Sequence, residues 1–404
     1  MAGDNVAPGS GWIVCQIGAR ENYAIARALR RRGRLNGVIT DAWAAPNSLG
    51  SALLPLRMRE RWHPELDGAP IHAPSFTSAV RSMKDRLTGR SGWDQVMARN
   101  AWFGRTAACK LRAFHGGTYT VFSYSYAAGD VFAEAKRRGW RTVLGQIDPG
   151  PFEARLVADL YKRAGQDHAH EPIPEEYWSL WRREIELADR IVVNSAWSRE
   201  ALIAGGVAWE KIAIIPLAHE GKSEAPRRHL PAAFTPERPL RLLFLGQVTL
   251  RKGIGVIFEA LRLLPGVPLS LAIVGPLQVE LPEAITNDPR ITFHGPVARS
   301  EALAFYESAD IFLFPTHSDG FGLTQLEALA AGLPVIASTF CGDVVREGVD
   351  GHTLASLEPR ELAALLRELA ADPVRVLRLQ SGAAVEAQRF GLDAIGRQLE
   401  DLFP

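Results

Sequence analysis

Apolar residues in this chain come in short unbroken runs, and between the runs they recur every three or four positions. The runs at Trp12–Ile17, Val38–Thr40, Tyr119–Ser123, Thr142–Ile147, Ile191–Asn194 and Ile212–Pro216 predict strands buried on both faces. Helical spacing fills the gaps. Glu21–Gly33 carries Ala24, Ile25, Ala28 and Leu29 on one side and stops at Gly33. Further helices are predicted at Ala127–Arg138, Glu175–Ala188 and Ala196–Ala204. From Trp43 to His115, prolines at 46, 55, 64, 70 and 74 blur the pattern, and no order of elements follows from it.

Residues 219–239 break the alternation. The segment is polar, carries Pro226, Pro231, Pro236 and Pro239, and reads as a linker between domains. Strands are then predicted at Leu240–Leu245, Leu269–Val274, Ile291–His294, Ile311–Pro315 and Pro334–Ala337. Helices are predicted at Gly253–Leu264, at Ser300–Ser308 with a serine cap, and at Gly322–Ala331 ending on Gly332. The tail from Pro359 to Leu402 reads as helical. Continuous apolar strands alternating with helices mean parallel sheets, so the expected class is α/β with two doubly wound Rossmann-like domains. The expected bounds are 1–218 for the first domain and 219–239 for the linker. The second domain is expected over 240–385, with a terminal helix over 386–404 crossing back to the first.

A length of 404 residues suits two cores better than one. Hydrophobic residues at 47% and charged residues at 23% match a globular protein, and no run reaches the ~18 apolar residues of a membrane span. Met1–Gly11 lacks the basic and apolar blocks of a secretory signal. Cys15, Cys109 and Cys341 form no paired or metal-binding spacing, so a cytoplasmic setting and no metal are expected.

Net charge is +1, which argues against a nucleic-acid partner, but its distribution is uneven. Residues 1–220 carry +6 and residues 221–404 carry −5. In 81–112, Arg81, Lys84, Arg86, Arg90, Arg99, Arg105, Lys110 and Arg112 face only Asp85 and Asp94, with Trp93, Trp102 and Phe103 interleaved. Such a stretch is either a pair of solvated helices with aromatic feet in the core, or a peripheral contact with an anionic membrane or acceptor. Charged helix faces ordinarily signal exposure, which favours the first.

Ligands of open parallel sheets bind at the carboxyl ends of strands, so the loops there are the places to look for chemistry. Gly246-Gln247-Val248-Thr249-Leu250-Arg251-Lys252-Gly253 follows the strand at 240–245 and puts two cations at a helix N-terminus. Solvated caps on a plain turn are one reading. The other is an anion site, because cations repel the positive end of a helix unless an anion offsets them. In Pro315–Ala328, Gly320 and Gly322 flank Phe321, and the free amides near Leu323 and Thr324 open a helix. Asp319 and Glu327 bracket the turn eight residues apart. Asp319 is either a turn former or a ligand contact. Glu327 sits among Leu326, Ala328, Leu329 and Ala331, where a half-buried carboxylate needs a partner. Cys341-Gly342-Asp343 and Glu347–Gly351 read as turns.

These residues resemble glycosyltransferase family 4, retaining enzymes of GT-B architecture with two domains facing a deep cleft. The resemblance is carried by Phe244-Leu245-Gly246 with Lys252-Gly253, by Gly295-Pro296-Val297, by Asp319 through Glu327, and by Ala331–Val335. Glu186–Ser195 and Ile214-Ile215-Pro216 extend it into the first half. It implies transfer of a sugar from a UDP- or GDP-sugar to a glycan or lipid-linked acceptor, with no cofactor beyond that donor and no metal. Lys252 would meet the donor diphosphate, with Arg251 and Gln247 in the same loop as Gly246. Glu327 would meet the ribose, Asp319 the transferred sugar, the amides of Gly320, Phe321, Gly322, Leu323 and Thr324 its oxygens, and Val297 the base. Gly18 matches the loop facing the acceptor, where Arg20, Gln146 and Asp148 are also placed.

The sequence departs from the family pattern in three places. Asp319 stands where members have Glu, Gln247 where many have Arg, and Gln146-Ile147-Asp148 where many have a His; His168 and His170 are not assigned in its place. A sugar-nucleotide epimerase and a non-catalytic nucleotide-sugar-binding protein are the alternative expectations.

Overall fold

The computed structural model describes residues 10–46, 55–87, 89, 91–169, 171–219, 229–386 and 389–403. Residues 1–9, Arg90, His170 and the 220–228 part of the expected linker lie outside them.

The first sheet consists of β1 (Ser10–Gln16), β2 (Leu35–Thr40), β3 (Ile71–His72), β4 (Thr118–Tyr124), β5 (Arg141–Gly145), β6 (Arg190–Val193) and β7 (Ile212–Ile214). Its order is β3-β2-β1-β4-β5-β6-β7, every pair parallel. The helices around it are α1 (Ala24–Arg31), α2 (Leu56–Arg59), α3 (Ser75–Leu87), α4 (Gly92–Leu111), α5 (Gly129–Arg137), α6 (Pro151–Arg163), α7 (Glu175–Leu187) and α8 (Ala196–Ala204). The second sheet consists of β8 (Leu240–Leu245), β9 (Leu269–Val274), β10 (Ile291–Gly295), β11 (Ile311–Phe314), β12 (Val335–Ser338) and β13 (Gly351–Leu354), in the order β10-β9-β8-β11-β12-β13. It carries α9 (Ile254–Arg262), α10 (Glu283–Thr286), α11 (Arg299–Ser308), α12 (Leu323–Ala330), α13 (Pro359–Ala371) and α14 (Pro373–Glu386), whereas α15 (Leu392–Glu400) packs on the first domain.

Both sheets are doubly wound, with helices on both faces, so their central strands are apolar on each side. All four residues of β11 are buried, as are Ile13, Val14 and Cys15 of β1. In each sheet the strand order reverses once, at β1/β4 and at β8/β11. Those reversals open the crevices where ligands of such sheets sit.

Two local expectations need correction, and two regions gain detail. The first helix starts at Ala24, because Glu21, Asn22 and Tyr23 all take left-handed conformations (φ 50, 50 and 60°). The helix expected at Ser300 is capped at Ala298, whose N–H donates to the Glu301 carboxylate (2.9 Å); Ser300 lies inside its first turn. The Pro-rich stretch hides β3, α3 and the 20-residue α4. The tail is three helices, broken first at Asp372-Pro373, where a proline cannot continue the backbone ladder. The last of them, α15, packs Leu392, Ile395 and Leu399 with Ile25 and Leu29 of α1, and Arg32 pairs with Glu400 at 2.5 Å.

The domains touch through the loops at the carboxyl ends of their sheets. Ser318 Oγ donates to Glu153 Oε2 (2.5 Å) and accepts from Trp197 Nε1 (2.9 Å). A Cβ on Gly320 would come within 2.6 Å of the Ile147 carbonyl oxygen.

Candidate functional site

The loop after β8 and the loop after β11 flank the reversal of the second sheet and are stitched together by hydrogen bonds. The Arg251 carbonyl accepts from the His317 amide (2.7 Å) and from Thr316 Oγ1 (3.0 Å). The Arg251 guanidinium donates to the Ser318 carbonyl (2.7 Å). Gly253 is left-handed (φ 76°), and a Cβ there would lie 1.7 Å from the Pro315 carbonyl oxygen. Only glycine allows the loops to approach so closely. The adjacent Lys252 is thereby held against the segment that starts at Pro315.

Lys252 forms an ion pair with Asp319, and its ammonium also lies 4.9 Å from the centre of the Phe314 ring. Arg251 Nη1 stands 3.5 Å from the same carboxylate. Burial alone would raise the Asp319 carboxyl, but Lys252 and Arg251 outweigh it and hold the group below its ordinary range. Asp319 Oδ1 accepts from the Phe321 amide (3.1 Å), which fixes the turn. Gly322 follows in a left-handed conformation (φ 83°) with the Phe314 ring filling the place of a side chain. Phe321 is held from below, its carbonyl accepting from the buried Gln325 side chain (2.8 Å) and from the Gly342 amide (2.9 Å). The loop at Cys341–Asp343 is therefore a supporting turn.

The amides of Leu323 and Thr324 lie in the first turn of α12, ahead of its i→i−4 ladder, and carry the positive end of the helix. Two cations and two free amides thus meet at one point, an arrangement that can take up negative charge developing on a leaving group. Glu327, further along α12, is half-buried and accepts from the Tyr306 hydroxyl (3.0 Å). Gly246 and the exposed Gln247 begin the β8 loop. Val297, after β10, packs on the core that contains Leu326 and Phe314. The structure therefore brings Lys252, Arg251, Asp319 and residues 320–324 together, with Glu327 beyond them and Val297 on the next loop.

Across the cleft, the Gly18 amide donates to Asp41 Oδ1 (2.7 Å), and Arg20 lies over the Tyr124 ring (5.3 Å). Gln146 is buried: its oxygen accepts from Trp181 Nε1 (3.0 Å), and its amide donates to Asp148 Oδ1 (3.1 Å). Asp148 Oδ1 also accepts from the Tyr126 hydroxyl (2.6 Å) and the Gly150 amide (2.8 Å), while burial raises its carboxyl above the ordinary value. Gln146 therefore braces Asp148, and the backbone of Ile147 is what meets Gly320. His168 pairs with Glu280 on an exposed edge (2.9 Å).

The sequence reading missed Glu153. Burial pushes this carboxyl up to about 7 against the pull of Arg251, whose guanidinium is 3.7 Å away. A single acid in a stretch for which the sequence predicted no element, the first turn of α6, gives no local signal of that kind. Its partners lie in the other domain.

The family described as "Glycosyl transferases group 1" matches residues 239–372. The D-inositol 3-phosphate glycosyltransferase of Xylanimonas cellulosilytica is 28% identical over 318 residues, covering 69% of this chain and 76% of that protein. Sucrose-phosphate synthase from Thermosynechococcus elongatus shares the fold with a TM-score of 0.67 at 18% identity, over 97% of this chain and 98% of that one. Anabaena HepE in complex with UDP does so with a TM-score of 0.61 at 16% identity, over the same shares.

Proposed function

We propose that the chain, which shares the GT-B fold, is a glycosyltransferase of the family 4 type and that it moves a sugar from a UDP- or GDP-sugar to a glycan or lipid-linked acceptor with retention of anomeric configuration. The observation that carries this reading is the convergence of Lys252, Arg251 and Asp319 on the N-terminal end of α12. In this reading the diphosphate takes Lys252 and Arg251 as its partners, and the Leu323 and Thr324 amides bond its oxygens. Asp319, released from Lys252, turns to the hydroxyls of the transferred sugar, and Glu327 with Tyr306 receives the ribose. Val297 and Gly246 border the base. The likeness in fold to HepE, whose structure holds UDP, supports a uridine donor.

Two cations and a helix terminus suffice to stabilise charge on the departing diphosphate, so the proposed reaction needs no metal. The diphosphate oxygen leaving the anomeric carbon takes the acceptor proton on the same face, which retains configuration. The test is a thermal-shift screen of UDP-, GDP- and ADP-sugars, because a bound donor raises apparent stability. It is followed by NMR of the product anomer. A stabilising donor and a product of unchanged anomeric configuration are expected; inversion would refute the mechanism.

We also place a peripheral contact with the inner membrane face on α3. Phe76, Val80, Met83 and Leu87 fall at i, i+4, i+7 and i+11, one stripe of that helix, and all four are exposed (48–81%). Arg81 and Lys84 lie on the same helix. The aromatic residues of the basic stretch face inward instead: Phe103 is buried, Trp93 packs edge-on to Tyr177, and Trp102 lies under Arg81. No helix among the described residues is long and apolar enough to cross a membrane.

A further inference from the structure

We infer that Glu153, which reaches across from the first domain, is a positioning residue that links donor binding to the uptake of a proton. Charged, it competes with the donor diphosphate for Arg251; neutral, it yields that guanidinium. This linkage rests on the donor-site reading above and adds to it a residue and a pH dependence.

The competition follows from geometry. Glu153 stands in the first turn of α6, and its Oε2 accepts from Ser318 Oγ in the loop after β11 (2.5 Å). The same oxygen lies 3.7 Å from Arg251 Nη1, and both side chains are largely buried (17% and 23% exposed). Arg251 Nη1 also donates to the Ser318 carbonyl (2.7 Å) and stands 3.5 Å from Asp319 Oδ2. One end of one guanidinium therefore faces an acid from each domain. Lys252 is already held by Asp319. A diphosphate that takes Arg251 as its partner must share it with the Glu153 carboxylate or displace it.

Charge decides which group gives way. Three carboxyls, Glu153, Asp148 and Asp319, act on this spot, with Arg251 and Lys252 against them. His317, on the same loop as Ser318, is held below its usual range by burial and adds no charge at neutral pH. A nucleotide sugar brings roughly two further negative charges to a seam where buried charges are poorly screened. Asp319 is the acid least able to take a proton, since Lys252 and Arg251 hold its carboxyl down. Burial raises Asp148, but it accepts from Tyr126, Gln146 and Gly150, three bonds that favour its charged form. Glu153 accepts from Ser318 alone, and burial already lifts its carboxyl to about 7, with Arg251 the main group opposing that rise. Once the diphosphate engages Arg251, this opposition weakens and the phosphates add their own repulsion. The Glu153 carboxyl then climbs further and takes up a proton near neutrality.

The seam tolerates that proton. A neutral carboxyl keeps one oxygen as an acceptor, so Ser318 goes on donating to it. Ser318 Oγ meanwhile still accepts from Trp197 Nε1 (2.9 Å). Beside this contact the Trp197 ring meets Phe152 and Phe340 edge-on, with centres 5.5 and 4.9 Å apart, which holds α6 and α8 against the loop after β12. The proton changes the charge facing Arg251 without parting the domains. Because the protonated form binds the donor more tightly, affinity is greatest below about 7 and falls as pH rises through that value.

Calorimetry on the full chain with UDP-glucose and GDP-mannose tests this linkage, since the diphosphate of either is a diester with no proton to exchange near neutrality. At pH 7.5, titrations in HEPES and in Tris, buffers of different ionisation heat, should report uptake of about half a proton per donor bound. That is the value for a carboxyl that binding moves up by roughly one unit from about 7. Affinity should fall about fivefold or more between pH 6.0 and 8.5. E153Q keeps the shape and the acceptor for Ser318 but not the charge. It should match the unaltered protein at pH 6.0, bind without proton uptake, and vary by less than about twofold over the same range. No proton uptake by the unaltered protein would overturn the inference, and that readout needs no variant. So would an unchanged pH profile in E153Q, the result for a residue that only braces the seam. Failure of the donor reading shows separately, as no binding of either nucleotide sugar at any pH.

Discussion

Gly253→Ala isolates the close approach that builds the proposed donor site. The substitution asks two things of the backbone. A left-handed alanine costs roughly 1–2 kcal/mol by itself. In addition, its Cβ would lie 1.7 Å from the Pro315 carbonyl oxygen, against about 3.3 Å for an ordinary carbon–oxygen contact. The loops must therefore part by about 1.6 Å, and such overpacking adds roughly 1–3 kcal/mol. Lys252 immediately precedes Gly253 in the chain, and Pro315 opens the segment bearing Asp319, so the displacement falls directly on their contact. Misplacing catalytic groups by ~1 Å can cost about a hundredfold in rate. Gly266→Ala is the matched control, because Gly266 has nearly the same φ (73°) but nothing within 4 Å of its would-be Cβ. Thermal melts and calorimetric titration with the stabilising nucleotide sugar should show a modest loss of stability and unchanged binding for G266A. G253A should melt lower still and bind at least tenfold more weakly. If the two variants behave alike in both assays, the packing of these loops does not set the donor site.

Lys252→Ala and Glu327→Ala should each lower donor affinity or turnover at least tenfold, a loss of about 1.4 kcal/mol or more; steady-state kinetics on both variants checks this, and full activity in both would remove the site assignment. Replacing Phe76, Met83 and Leu87 by serine should abolish co-sedimentation with phosphatidylserine-containing vesicles while leaving donor binding intact, and wild-type binding should weaken at high salt. Retained sedimentation of the triple variant would move the contact off α3. Glu153→Gln probes the acid between the domains. Its carboxyl is raised from 4.5 to about 7 in the folded protein, so the native state holds the proton more tightly than the unfolded chain. That contribution is complete below about 4.5 and is lost as pH rises through 7. Between pH 5 and 7.5 the unaltered protein should therefore lose stability relative to E153Q, on the order of 2 kcal/mol for a shift of this size. Parallel melting curves across that range would show that Glu153 does not titrate there.

How far the sequence speaks for the fold depends on the reach of each interaction. Strands such as Ile311–Phe314 are legible because burial on both faces demands an unbroken apolar run, and that demand is met locally. Lys252 and Asp319 are legible in the same way: each occupies a loop after a predicted strand, and parallel topology sends such loops to one edge. The 20-residue α4 was hidden because prolines upstream blurred the segment, and because its buried face uses small residues, Gly104 and Ala107, beside Phe103 and Leu111. The left-handed run Glu21–Tyr23 defeats helix periodicity outright, since Glu21 and Ala24 keep the right spacing while the backbone between them does not. Glu153 was beyond reach for a further reason. Its hydrogen-bond partner Ser318 is 165 residues away, and only the packing of one domain against the other makes its carboxyl buried and its proton tightly held. Residues of this kind read as ordinary surface acids until both domains are in place.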